Sequence, residues 1–298
     1  MYGVLAYLLW GSFPGYFPLL RPANALEILA HRIVWSLLVM GIVVAVTHRG
    51  AAVRAVLRNR RQLTWLSIGA AFIAVNWGLY IWGVFEHRVV ETSLGYFINP
   101  LVTILLGVFV LGERLRPLQW VAVGIASAAI VVLTVGYGHL PWIALVLAFS
   151  FGTYGLAKKQ ADVDAVESLT VETLVLTPFA IVVMIVMAAL GSFTLVTDGF
   201  GHAGLLATTG LVTCIPLVLF GAATKRLPLS TVGLLQYLTP VLQFLYGVFV
   251  DDEELSPLRL VGFGLVWVAL ALLIVEGLRR ARRNRNQPAA LDPVDTAV

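Results

Sequence analysis

Glu27, His31 and Arg32 fall within six residues of a strongly apolar run, and they carry the sharpest chemical signal in the chain. On a helix Glu27 and His31, four apart, stack on one face with Arg32 beside them. A histidine next to a carboxylate can carry a proton, while an arginine can hold an anionic solute or neutralise Glu27. The alternative is a salt bridge that fixes the outer end of one helix, because His31 is only about 6 Å, one turn, from Glu27. Ionisable groups inside apolar runs are functional candidates by default.

Two further groups have useful spacing. Asn76, Trp77 and Tyr80 share a stretch in which Asn76 and Tyr80 are four apart; aromatic bodies with polar tips suit an amphipathic organic solute. An interfacial aromatic belt would also explain such residues, as it does Trp65. Tyr96, Asn99 and Thr103 then form a stripe at helical spacing, as do Gln236, Thr239 and Gln243, with Tyr237 beside them and Tyr246 one turn on. Each stripe holds a proline, Pro100 or Pro240, that removes a backbone donor and frees the carbonyl four residues earlier, Tyr96 or Gln236. Matched interruptions in two halves point to a carrier's binding site, although polar stripes can also bond two central helices together.

The remaining charged residues suggest structural duties. Glu91 suits a helix N-terminus, and Glu113 and Glu253 sit in turns before prolines. Cys214 is the only cysteine, so no intrachain disulfide or cysteine metal site forms. The sequence holds no P-loop, HExxH or GxSxG motif and no carboxylate cluster for a metal. No catalytic residue, metal or cofactor is expected.

These residues must be positioned by membrane helices. The chain is 59% hydrophobic and 12% charged, against about 25% charged in soluble domains. Apolar runs long enough to span a bilayer, about 20 residues each, fall near 2–20, 28–46, 63–85, 91–111, 118–135, 140–157, 169–190, 203–223, 229–250 and 257–277. Ala23-Asn24-Ala25 looks like a signal cleavage site, but the preceding run is too long and lacks a basic start. The first run is therefore expected to be a span. The excess of basic residues lies at helix ends and reflects orientation rather than nucleic-acid binding.

The stretch 96–135 recurs at 236–275 without a gap, with 15 of 40 positions identical, among them Pro100/Pro240, Gly107/Gly247, Glu113/Glu253 and Pro117/Pro257. Glu27 matches Glu167, but Val171 and Glu172 stand where the first half has His31 and Arg32; Gly11 matches Gly152 with one extra residue. Five spans per repeat is odd, so the halves are expected to be inverted. With both termini inside, only Arg21, Arg32, Arg88 and Arg259 of the 20 Lys and Arg face outward, a strong positive-inside bias. The Arg-rich segment 49–61 then meets anionic lipid.

The segments Tyr7-Leu-Leu-Trp-Gly11, Glu27-Ile-Leu-Ala-His-Arg-Ile-Val-Trp-Ser36, Asn76-Trp77 with Tyr80-Ile-Trp82, Ser93-Leu-Gly-Tyr-Phe-Ile-Asn-Pro-Leu101, Gly112-Glu-Arg-Leu115, Gln236-Tyr237 with Pro240, and Gly262-Phe263 with Trp267 run through nearly the whole chain. They resemble the RarD family of EamA-type permeases in the drug/metabolite transporter superfamily. The resemblance implies an all-α integral membrane protein of ten transmembrane helices in two inverted five-helix EamA repeats, at 1–138 and 139–278, with a basic disordered tail at 279–298. It implies a bacterial plasma-membrane carrier for a small organic solute, with protons or an exchanged solute as coupling partners. A membrane enzyme acting on a lipid-linked substrate and a passive pore are the rival readings. Oligomeric state is not legible.

Overall fold

The computed structural model describes residues 1–112, 114–224 and 235–286, and helix is the only regular structure among them. The first apolar run is broken. α1 (Tyr2–Gly11) gives way at Ser12 to α2 (Phe13–Tyr16) and a 3-10 turn (Phe17–Leu20), with a bend of 48°. Pro14 and Pro18 account for it, since each removes a donor and crowds the preceding turn. Asn24 then caps α3 (Ala25–Val46), its Oδ1 accepting the Glu27 N–H at 3.0 Å. The short α4 (Gly50–Arg58) is amphipathic: Val53 and Val56 are buried while Arg54 and Arg58 are exposed, as expected of a helix lying at an interface.

Nine more helices follow: α5 (Arg60–Phe85), α6 (Val89–Leu111), α7 (Pro117–Tyr137), α8 (Trp142–Ala161), α9 (Ala165–Ala189), α10 (Thr194–Thr197), α11 (Gly199–Thr224), α12 (Leu238–Phe249) and α13 (Pro257–Asn286). By length and composition α3, α5, α6, α7, α9, α11 and α13 can cross a bilayer, and the bent α1–α2 pair would make eight among the described residues. That is short of the ten expected. α8 is packed between α5 and α6 and ends in Lys158 and Lys159, so it needs fewer apolar residues facing lipid. α12 is a shorter apolar helix, and 229–234 of its expected span, like Glu113, Lys225 and Arg226, lie outside the described residues. At the other end α13 stays helical to Asn286, where a disordered tail was expected from 279. Residues 287–298 also lie outside the described set.

Large apolar side chains such as Ile42, Phe109, Val131 and Phe179 are exposed on the outside, the surface a lipid solvent requires. Inside, α3 packs on α9 and α11, α5 on α8 and α9, α6 on α8 and α12, α1 on α11 and α12, and α7 on α13. Exchanging α1, α3, α5, α6 and α7 with α8, α9, α11, α12 and α13 turns this set of pairs into itself. Equivalent helices meet start to end. Arg259 Nε donates to the Gly136 carbonyl at 3.2 Å while Arg116 and Glu276 are 3.9 Å apart at the other end of α7 and α13. Arg49, after α3, reaches Glu167 in the first turn of α9 at 3.0 Å. Gly247 near the end of α12 abuts Val90 at the start of α6.

Tight approaches also recur by repeat. A Cβ on Gly11 would lie 2.6 Å from Leu242 Cδ1, and one on Gly152 would lie 3.1 Å from Leu106 Cδ1. Small residues at these two places let α1 close on α12 and α8 close on α6.

Candidate functional site

The halves enclose a cavity of about 630 Å³. α5 contributes Asn76, Trp77 and Tyr80; α6 contributes Tyr96 and Asn99; Gln236, Thr239, Pro240 and Gln243 come from α12 and the turn before it. Arg32 and Met40 of α3 also line it, about 12 Å of helix rise apart. Many lining residues are repeat partners: Tyr96/Gln236, Asn99/Thr239, Trp77/Leu217 and Tyr80/Phe220 at an offset of 140, Trp10/Phe151 and Phe13/Tyr154 at 141. The last four pairs escaped the sequence reading, although the offset of 140 and the Gly11/Gly152 match carried the registers that find them.

The cavity lining is exposed at one end, the open end, and is backed by a buried apolar cluster at the other, the plugged end. At the open end Arg49 is paired with Glu167 and Asp164, and the Asp164 side chain is 69% exposed. Glu167 holds Arg49 even more firmly protonated than usual. At the plugged end Phe13, Phe17, Leu20, Ile28, Tyr80 and Ile81 form a buried apolar cluster. Tyr16 adds a 2.8 Å hydrogen bond to Thr208 across it.

Several polar residues hold helices together as well as lining space. Asn76 Nδ2 donates to the Leu147 carbonyl at 2.9 Å and to Ser150 Oγ at 3.1 Å, while its Oδ1 accepts from the Tyr96 hydroxyl at 3.1 Å. That one buried amide ties α5, α6 and α8. Thr239 Oγ1 donates to the Tyr7 carbonyl at 2.9 Å, and Gln243 Nε2 to the Trp10 carbonyl at 3.2 Å. The second bond follows from the break in the first helix: Pro14 has no N–H to offer Trp10, and Gln243 supplies a donor instead.

Other expected site residues sit elsewhere. Thr103 is exposed and Tyr237 packs against the core of α6, α7 and α13; neither lines the cavity. The two prolines are not equivalent, since Pro100 is inside α6 while Pro240 is in the first turn of α12, where a missing N–H costs no helical bond. The Glu27 trio separates. Glu27 Oε1 accepts from the N–H (2.7 Å) and the hydroxyl (3.0 Å) of Thr194. His31, 4.0 Å from Glu27, stacks on Phe193 and accepts from Trp35 Nε1. Neither faces the cavity, whereas Arg32 does.

Two carboxylates, buried Glu91 and half-buried Glu253, cap helices distant in sequence. Glu91 Oε1 accepts the Ile143 N–H of α8 at 3.2 Å, and Glu253 Oε1 accepts the Val90 N–H of α6 at 2.9 Å. Each satisfies an orphan donor at a helix start. Burial pushes the Glu253 carboxyl up to about 7 in spite of these hydrogen bonds. No group of three or more His, Cys, Asp or Glu that could hold a metal occurs among the described residues.

Residues 1–135 and 141–275 each match the EamA-like transporter family. The chain belongs to that family. It is 54% identical to Protein RarD of Streptomyces exfoliatus over 298 residues, covering all of this chain and 95% of the relative. It is 40% identical to a protein of Pseudomonas aeruginosa named as an uncharacterised transporter, over 94% of each chain. A solved crystal structure shares the fold with a TM-score of 0.60 at 20% identity, covering 91% of this chain and 95% of the other. The chain is thus a multi-pass membrane transporter of the drug/metabolite type, and the family's two matches fall on the two halves that exchange in the packing.

Proposed function

We propose that the protein is a secondary active carrier that moves a small organic solute across the bacterial plasma membrane by alternating access, most simply as an exporter. Ten helices form two inverted repeats, 1–138 and 139–278, with both termini cytoplasmic. The antiparallel meeting of α3 with α9, α6 with α12 and α7 with α13 supports the inversion. Support for the mechanism comes from one observation: a cavity of about 630 Å³, lined by repeat-related residues, that is exposed at the Arg49–Asp164 end and backed by a buried apolar cluster at the Phe13–Phe17 end. A rocking of the halves would exchange plug and opening around the same lining. The basic residues gathered at the open end support its reading as the cytoplasmic one. Asn99, Gln236 and Gln243 are the polar contacts of the path, and Trp77, Tyr80 and Tyr96 its aromatic walls. Glu27 and His31, bonded across to the Thr194 segment at the plugged end, act as gate or proton-coupling residues.

The test is accessibility from each side. With Cys214 replaced by alanine, Asn99→Cys should react with a membrane-impermeant maleimide quickly in inverted vesicles and more slowly in intact cells. Reaction from one face alone contradicts alternating access.

A further inference from the structure

The reading as a carrier leaves the solute's chemistry open, and Arg32 narrows it. Among the described residues three basic side chains line the cavity: Arg32, Arg49 and Lys158. Arg49 is paired with Glu167 and Asp164. Lys158 Nζ lies 3.2 Å from Glu172, which also accepts from Tyr154 and Ser168. Arg32 is different. It is 4% exposed, and among the described residues no carboxylate lies within ion-pair distance of it. The titratable groups that act on it are the hydroxyls of Tyr96, Tyr16 and Tyr80 and the thiol of Cys214, none of which is ionised at neutral pH in the ordinary way. Glu27, five residues earlier and the expected neutraliser, is taken by Thr194.

What surrounds Arg32 instead is aromatic. Its guanidinium lies 4.1 Å from the Trp77 ring centre, 5.5 Å from Phe13 and 5.9 Å from Phe17, and Nε donates to Thr213 Oγ1 at 2.8 Å. Stacking and one hydroxyl orient the fork but add no negative charge. A buried cation without a counter-ion is costly, and an anionic ligand would offset that cost. The repeat partner of Arg32 is Glu172, fully engaged by its own neighbours, so the excess charge is confined to one place on the cavity wall.

We propose that Arg32 is the anchor for the anionic group of the solute, and that the carrier's substrates are small organic anions: a carboxylate, phosphate or sulfonate on a ring-bearing or apolar body. The anionic group takes the guanidinium fork bidentately. The body lies among Trp10, Trp77, Tyr96, Phe151 and Phe220, whose flat faces line the rest of the space. This inference rests on the carrier reading.

The test uses the purified full chain in neutral detergent, with paired probes that differ only in charge: benzoate against benzamide, and indole-3-acetate against indole-3-acetamide. Binding is followed by tryptophan fluorescence and thermal shift. The acids should bind about tenfold or more tighter than their amides, the size of a hydrogen bond to a charged group. Arg32→Gln should bring the ratio to about one, and Arg32→Lys should keep part of it. Without ligand, Arg32→Met should be at least as thermostable as the wild type, because it removes an uncompensated charge. Equal binding of acid and amide, absence of acid binding, or a discrimination that survives Arg32→Gln overturns the proposal. A less stable Arg32→Met also overturns it, since it would make Arg32 structural. Stabilisation by phosphatidylglycerol alone would mean that Arg32 holds a lipid headgroup rather than a solute. Acids that bind through Arg32 but never cross sealed vesicles would refute the carrier reading and leave the anion site standing. Flux of neutral solutes indifferent to Arg32→Gln would do the reverse.

Discussion

Gln243→Leu offers a sharp test of how the broken first helix is held. The side chain is 2% exposed, and its Nε2 donates to the Trp10 carbonyl at 3.2 Å. Leucine has similar bulk but no donor. Leaving a buried carbonyl unpaired costs about 1–3 kcal/mol in soluble proteins, and membrane hydrogen bonds average about 0.6 kcal/mol with a maximum near 1.7. Gln243 Oε1 is itself buried without a partner among the described residues, so the substitution removes one orphan as it creates another. A net loss of about 1 kcal/mol is expected, which lowers the melting temperature by roughly 2–4 °C for a chain of this size. The cause is testable by a double-mutant cycle. Pro14→Ala restores an N–H that can serve Trp10, so Gln243→Leu should cost less than half as much in that background. The assay is thermal unfolding in detergent followed by tryptophan fluorescence. Equal losses in both backgrounds would refute the link between Pro14 and Gln243.

Gly11→Ala should destabilise more than Gly152→Ala, by about 1–3 kcal/mol for the former, because the added Cβ meets Leu242 at 2.6 Å rather than Leu106 at 3.1 Å; melting curves that reverse this order contradict the close approach. Glu253 titrates high, so its neutral form suits the folded state: the stability this brings is complete below about 4.5 and is lost as pH rises through about 7. Melting temperatures of wild type and Glu253→Gln should therefore diverge across that window, the wild type falling relative to the variant, and parallel curves would refute the burial argument. Asn99→Leu should impair flux without lowering the melting temperature, since Asn99 Oδ1 has no partner to lose among the described residues. His31→Ala should reduce flux in correctly inserted protein; unchanged flux removes His31 from the gate.

Much of the architecture could be read from the sequence, because bilayer physics leaves few options for apolar runs and because the repeat is ungapped over its second part. The offset of 140 and the polar stripes followed from local rules, whereas the Asn24 cap of α3 went unread. The break after Gly11 was harder to see: hydropathy runs through Pro14 and Pro18 unchanged, whereas backbone hydrogen bonding does not. Thr103 falls seven residues from Tyr96 across Pro100, and a helical face extrapolated past a proline loses its register. The trio at Glu27 looked like one site since its members adjoin in sequence. Three-dimensional packing splits it, sending Glu27 and His31 to the Thr194 segment and Arg32 to the cavity. Arg32's isolation was invisible in one dimension, where Glu27 is the obvious partner.

Carriage of a small solute through the cavity between the halves is open to direct test. Untargeted metabolite profiling of cells and medium tests it most directly, comparing wild type, deletion, overexpression and the cavity-filling variant Asn99→Trp. A compound should cross with the wild-type protein, be retained in the deletion, and be equally retained with Asn99→Trp present at wild-type levels in the membrane. A compound that still crosses with Asn99→Trp, or none that depends on the protein in any growth condition, would contradict it.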